Sequence, residues 1–169
     1  MKSFSKITAL LFVLVSCDNS LLEKNICSSG TVDVGIEGIY SMNLMGKDSK
    51  VEIKSIGTGE YQISMDDELE EDQSIVTCVI DGKIYAGTNG AQESHSEVMK
   101  FVPTTTGYVL SSVIFDHNHL SAIGVPFKIT TNDFGSTLTT VENTSVDSAY
   151  LLQAESVQGD PISFNLIKQ

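Results

Sequence analysis

Residues 75–87 have the sequence IVTCVIDGKIYAG, in which two largely apolar segments, 75–80 and 83–87, flank the dipeptide Asp81-Gly82. Asp-Gly between short apolar runs is the strongest local signal for a β-hairpin, because both turn positions need positive φ angles that these residues accept. The sequence therefore predicts two antiparallel strands joined by a two-residue turn.

On both sides of this hairpin, apolar and polar residues alternate with a period of two, which is typical of half-buried strands. Turn-forming Gly, Pro, Asn and Asp residues separate these segments. Residues 145–157 are ambiguous, because their alanines and leucines are also compatible with a short helix. Strands are predicted near residues 40–44, 51–54, 61–65, 75–80, 83–87, 98–102, 107–115, 120–123, 127–131, 136–141 and 162–167.

About ten short strands with regular turns predict an all-β fold, an antiparallel meander that forms a small barrel or a strongly curved sheet. The motif Gly38-Ile39-Tyr40, near the first strand of this series, is similar to the Gly-x-Trp motif that opens lipocalins. The chain contains no tryptophan and no arginine to pack over one. The resemblance implies a barrel and leaves function open, because one fold hosts many functions.

The amino terminus has the features of an export signal. Lys2 and Lys6 precede an apolar run from Ile7 to Val15, which is too short for a spanning helix of about 20 residues. Leu14-Val15-Ser16-Cys17 resembles the lipobox of bacterial lipoproteins at all four positions. The resemblance implies cleavage after Ser16 and lipidation of Cys17; the alternative is an ordinary secretory signal with a chance cysteine.

These features predict three segments: a lipoprotein signal peptide at residues 1–16, a lipidated flexible tether at 17–35, and a single β domain at 36–169. The eighteen residues 18–35 would span about 25 Å on average. The expected location is a bacterial cell envelope, with the protein anchored to a membrane and facing the periplasm or the cell surface. Which membrane it would be stays open.

The charge of the chain disfavours some partners. The chain has ten lysines and 22 acidic residues, which gives a net charge of −12. Removal of residues 1–16 takes away two lysines and no acid, so eight lysines remain and the charge becomes −14. Because arginine is absent and the charge is strongly negative, we expect no nucleic-acid partner. The membrane is expected as a partner only through the amino-terminal lipid, with the domain held off a like-charged surface.

Two cysteines remain once Cys17 carries lipid. Cys27 and Cys78 form a candidate disulfide, because the envelope is oxidising. In the alternative, Cys78 is a small buried apolar residue and Cys27 is unpaired.

Two clusters of polar residues contain side chains that can bind metal ions. Residues 66–72 (DDELEED) supply carboxylates, but their spacing does not match a calcium loop, and a solvated hairpin loop is favoured. Asp116, His117 and His119 form a second, weak candidate, since a spacing of two on a strand would place both imidazoles on one side. Ordinary turn formation is the favoured interpretation there. We therefore predict no metal and no cofactor.

No catalytic residue stands out, since Gly-x-Ser-x-Gly and phosphate-binding loops are absent. The leading hypothesis is a non-enzymatic binding module for an apolar small molecule or a protein partner. The alternative is a structural or inhibitory protein that acts through loops or an edge strand; an enzyme is a third hypothesis. An apolar ligand would contact one interior face, although the same residues could fill a packed core: Tyr40, Met42, Tyr61, Ile63 and Met65.

Overall fold

The computed structural model describes residues 19–28, 30–44, 46–66, 68–90, 95–131, 137–156 and 163–169, without the side chains of 19, 68–73, 89 and 90. Within these residues, strands dominate and helices are short. The strands are β1 Asn19–Leu22, β2 Gly38–Leu44, β3 Lys47–Gly57, β4 Glu60–Met65, β5 Glu68–Ile80, β6 Lys83–Gly90, β7 Ser96–Pro103, β8 Gly107–Ser112, β9 Phe127–Thr131, β10 Thr137–Val141 and β11 Ser163–Lys168; the helices are α1 His117–Ala122, α2 Ser148–Leu151 and a 3-10 turn Leu152–Ala154.

Eight strands form a closed antiparallel barrel. Strands β2 to β8 follow one another as a meander, and β11 completes the ring by pairing with β8 on one side and β2 on the other. The predicted all-β barrel is therefore confirmed. Closure removes the open edges that strands of this kind would otherwise expose.

The hairpin predicted at Asp81-Gly82 is also confirmed. Strand β5 pairs with β6 in a register that places Ile80 opposite Lys83. Asp81 has φ 51° and Gly82 has φ 74°, the two positive angles that a tight hairpin turn with right-handed twist requires.

A small three-stranded sheet extends from the barrel. Its first strand, β1, pairs antiparallel with the start of β7 and parallel with β10, and β10 pairs antiparallel with β9. Among the described residues, β9 is the outer edge of this extension.

Two cores stabilise the molecule. The first fills the barrel with inward-facing side chains such as Tyr40, Tyr61 and Phe101. The second lies outside the barrel, between the outer faces of β5, β6 and β7 and a covering layer made by residues 19–27, α1, β10 and α2. It includes Val76, Tyr85 and Phe115, each at most 4% exposed.

The predicted flexible tether at residues 17–35 is wrong over its described part. Residues 19–22 form β1, and Leu22, Ile26 and Cys27 are at most 1% exposed. The polar composition that suggested a linker comes from exposed neighbours such as Glu23 and Lys24. The segment is a structural part of the domain because its few apolar residues all pack into the second core.

We call residues 23–28 and 30–37 the strap, because they run around the barrel and then cover one of its ends. Asn25 donates to the Thr88 carbonyl of β6 at 3.1 Å. Val32 then donates its N–H to the Thr77 carbonyl of β5 at 2.9 Å. The strap backbone passes so close to Gly59 that a Cβ atom there would approach Val32 to 2.7 Å. Ile36 finally enters the barrel core.

Two further segments differ from, or refine, the sequence prediction. The predicted strand at residues 120–123 is wrong, because Leu120 lies in α1, which Asp116 caps by accepting the N–H of His119. The ambiguous segment 145–157 is helical from Ser148 to Leu151 and continues as a 3-10 turn to Ala154. Asp147 supplies the same kind of cap there.

Candidate functional site

The five residues proposed to line a ligand cavity lie together in the barrel core. Tyr40, Met42, Tyr61 and Met65 are at most 1% exposed, and Ile63 packs against them at intermediate burial. Exposure this low means that protein atoms surround the four side chains closely, so a ligand would have to displace them. The structure therefore supports the second interpretation, in which these residues fill a packed core.

The polar ends of the two buried tyrosines are occupied by the strap. The Tyr40 hydroxyl donates to the Ile36 carbonyl at 2.7 Å. The Tyr61 hydroxyl donates to Asp33 Oδ1 at 2.5 Å and accepts the Val34 N–H at 3.1 Å. Burial raises the pKa of both tyrosines, and the bond from Tyr61 lowers the pKa of Asp33. These hydroxyls therefore fasten the strap over the barrel end.

The structure does not bring Asp116, His117 and His119 together in the way that the strand spacing suggests. His117 and His119 lie on the helix α1, where a spacing of two turns the side chains to different sides. The His117 ring stacks on Phe127 with centroids 5.1 Å apart, and its Nε2 lies 2.7 Å from Thr139 Oγ1. His119 is exposed, with Nδ1 3.7 Å from Asp116 Oδ1. Among the described residues, no three His, Cys, Asp or Glu side chains converge as metal ligands.

The described backbone of the acidic segment 66–72 forms a turn and the start of a strand, and not the predicted hairpin loop. Asp66 has φ 51° and forms the turn between β4 and β5, and its carboxylate accepts the Lys50 N–H at 2.9 Å. From Glu68 onward the backbone belongs to β5. Asp67 and the side chains of 68–73 lie outside the described part, so the predicted absence of a calcium site stays a prediction there.

The predicted disulfide between Cys27 and Cys78 is present, with an S–S distance of 2.10 Å. It joins the strap to the outer face of β5 within the second core. Cys17 and the signal segment 1–16 lie outside the described residues, so lipidation stays a prediction.

The edge strand β9 is accessible along most of its length. Within the described ranges it pairs with β10 alone. Phe127 is half-buried and the other four residues of β9 are exposed, with Ile129 at 48%. An edge strand directs every second N–H and C=O group away from its neighbour, which makes it a template for another extended chain.

The two faces of β9 differ in chemistry. Phe127, Ile129 and Thr131 alternate onto one face, and the stacked His117 ring supports that face at Phe127. The opposite face carries Lys128, whose Nζ lies 3.0 Å from Glu142 Oε1.

Acidic side chains outnumber basic ones around Lys128. Its hydrogen bond with Glu142 raises the pKa of Lys128, and the charges of Glu142 and Glu23 act in the same direction. Two carboxylates therefore accompany one ammonium group on this face of the small sheet.

Sequence reasoning predicted the strand 127–131 but not its position at an open edge. Its composition (FKITT) resembles that of strands inside the barrel, and strand order depends on pairings between residues distant in sequence. The lysine within it is a weak signal, because lysine is common on edge strands.

Within the parts of the chain that the structure describes, no helix is long and apolar enough to span a membrane. No protein-family model, curated protein or solved structure matches the chain.

Proposed function

We propose that this chain is a lipid-anchored protein of a bacterial cell envelope, without enzymatic activity, that binds an extended segment of a partner protein along β9. The observation that carries the proposal is the open edge of β9 beside a barrel whose interior is filled. Addition of a strand to an open edge is a common mode of peptide recognition, in which main-chain hydrogen bonds supply affinity and side chains supply specificity.

The sequence supports the proposed location. Leu14-Val15-Ser16-Cys17 overlaps the last two residues of the apolar run and places Cys17 just beyond its end. The disulfide between Cys27 and Cys78 is of the kind that persists in oxidising compartments such as the periplasm and the cell surface. Anchoring through more than one acyl chain would keep the protein stably on its membrane.

The packing of the barrel is the reason to prefer a protein partner over an apolar small molecule. The first core contains the edge-to-face ring pairs Tyr40–Tyr108 and Phe101–Tyr108, with centroids 6.2 and 6.0 Å apart. Interiors packed in this way are typical of small barrels whose side chains fill the lumen. The barrel is then a rigid support for the small sheet.

The chemistry of β9 defines the partner segment. It would be extended, with an apolar side chain over Ile129 on one face and a basic side chain beside Glu23 and Glu142 on the other. A second copy of the chain fits less well, because two domains of charge −14 repel each other.

A peptide titration tests this proposal. The mature protein in detergent micelles is mixed with the peptide KVTVKVT, and backbone hydrogen exchange is measured with and without peptide. We expect new protection at residues 127–131, at least fivefold weaker binding of the acidic peptide EVTVEVT, and at least tenfold weaker binding after Ile129→Lys. Ile56→Lys is the matched control, because Ile56 is an exposed strand isoleucine on β3 and its replacement should leave binding unchanged.

Protection on the barrel strands instead of β9, equal binding of the two peptides, or no binding would overturn the proposed edge. A mass shift to the dimer in light scattering would assign β9 to self-association instead.

The anchor has its own test. Intact mass of the protein from bacterial membranes should correspond to a chain that begins at Cys17 and carries acyl groups. Cys17→Ala should give a chain without lipid. A mature Cys17 with an unmodified mass would reject the lipoprotein assignment.

A further inference from the structure

The starting point of β1 constrains how the domain meets its membrane. β1 begins at Asn19, two residues after Cys17, and pairs with β7 on one side and β10 on the other. Ser20 and Leu22 are buried at 5% and 0% exposure. The chain from Asn19 onward is therefore part of the folded domain, and two residues can span at most about 7 Å.

The register of the small sheet identifies what lies next to this point. Asn19 is opposite Leu138 in the parallel pair of β1 and β10, and Thr137 is opposite Thr131 in the pair of β10 and β9. The start of β1, the start of β10 and the end of β9 therefore share one end of the sheet. We call Asn19, Thr130, Thr131, Thr137 and Leu138 the anchor end.

The anchor end differs in charge from the rest of the domain. Its residues are uncharged, and Thr130 and Thr131 are exposed while Thr137 and Leu138 are half-buried. In the sequence, Asp18 and Asp133 are the acidic residues that adjoin it. The five residues of the anchor end therefore add no charge of their own against an anionic bilayer. Acids do lie further along β1, where Glu97 is opposite Leu21 and Asp116 follows Phe115, whose N–H donates to Ser20 Oγ.

We propose that the anchor end lies against the phospholipid bilayer, so that the small sheet stands on the membrane and β9 is a membrane-proximal edge. This inference rests on the lipid anchor of the proposed function. In this arrangement the domain has a fixed orientation on the membrane, instead of moving freely on a long tether. The barrel strand β3 is four places from β7 in the ring of eight, and therefore faces away from the sheet that joins β7.

Depth-dependent quenching of a fluorescent label tests the orientation. Thr131→Cys and Lys54→Cys each supply one free thiol, because Cys27 and Cys78 are bonded and Cys17 would carry lipid. Lys54 lies on β3 and is exposed. The labelled mature proteins are bound to phosphatidylcholine vesicles that contain headgroup spin-labelled lipid. We expect at least twofold stronger quenching at position 131 than at position 54.

A tether insertion provides the matched control. Twelve glycine and serine residues placed after Asp18 would add about 20 Å of flexible chain. The lengthened protein should still float with vesicles, while quenching at position 131 falls to the level at position 54.

Equal quenching at both positions in the original chain, or no change on insertion, would overturn the orientation. Failure of the protein to float with vesicles would instead reject the anchor itself and the orientation with it. Binding of KVTVKVT along β9 is measured separately, so the proposed peptide-binding edge can be correct whichever result is obtained here.

Discussion

The two sides of the barrel wall have the same strand geometry but different surroundings. On the β2–β3–β4 side, outward-facing residues such as Glu52, Lys54 and Gln62 contact solvent. On the β5–β6–β7 side, outward-facing residues such as Val76 and Tyr85 are buried under the covering layer. The outer surface of the barrel is therefore exposed to solvent on one side and buried under the covering layer on the other.

This difference explains the sequence patterns of the strands. A strand with one buried face alternates polar and apolar residues, as in β3. A strand buried on both faces becomes continuously apolar. Residues 75–78 of β5 are buried in this way, since Ile75 packs into the barrel core and Val76 and Cys78 pack into the second core, whereas Val79 beyond them is 45% exposed.

The largest expected effect comes from removing one aromatic ring from each core. Phe101 in the barrel and Phe115 in the second core are 1% and 2% exposed, and each change to alanine should cost about 3–5 kcal/mol of unfolding free energy. We expect Phe115→Ala to increase hydrogen exchange first in residues 19–27 and α1, while β3 stays protected. Phe101→Ala should increase exchange in β3 as well. Equal exchange patterns for the two variants would show that both cores unfold as one unit.

A smaller effect is expected from opening the disulfide that joins the two regions. Cys27 and Cys78 are separated by 51 residues, and a crosslink of that span stabilises by about 2–4 kcal/mol, in part by constraining the unfolded chain. The double variant Cys27→Ala, Cys78→Ala should lose this amount in denaturant unfolding. A thiol reductant should destabilise the native protein but leave the variant unchanged, and a reductant effect on the variant would contradict the assignment.

The ion pair under the cover should contribute less than the disulfide. Glu155 pairs with Lys100 and accepts the Tyr85 hydroxyl at 3.1 Å, with the two charged side chains 18% and 23% exposed. Glu155→Gln leaves Lys100 partly buried without its counter-charge and should cost about 1–2 kcal/mol. Denaturant unfolding at neutral pH measures this loss, and Lys100→Met in the same background should recover part of it.

The smallest effect is expected for the matching change on the solvent-facing wall. Glu52 lies 3.3 Å from Lys54, whose side chain is 58% exposed, and water screens such a pair. Glu52→Gln should change the unfolding free energy by less than about 0.5 kcal/mol. A loss as large as that of Glu155→Gln would mean that burial does not distinguish the two walls.

Much of the barrel could be predicted from the sequence because its signals are local. Strands from β2 to β7 follow the alternation or the apolar runs, and the Asp81-Gly82 turn follows from the positive φ angles that these residues tolerate. The disulfide could be proposed because the predicted lipidation of Cys17 would leave Cys27 and Cys78 as a single cysteine pair. The closing contact between β11 and β2 could not, since it joins residues more than 100 positions apart.

The covering layer was mostly missed because its signals are short. Strand β1 has four residues, too few to reveal a period. Leu120 and its neighbours suggested a strand, although Asp116 before them is a helix cap whose carboxylate accepts the His119 N–H at 2.8 Å. The candidate interior residues were placed correctly on one face, but sequence alone does not separate a ligand cavity from a packed core, since both need apolar side chains.

The disulfide between the strap and β5 also determines how the molecule carries a mechanical load. A pulling force applied at the amino end would first act on β1 and then reach Cys27, whose bond to Cys78 transfers the force directly to the barrel wall. Only residues before Cys27 could be peeled away while the bond is intact. The part of the strap after Cys27, which covers the barrel end, would then be bypassed by the force, and the load would pass to β5 at Cys78.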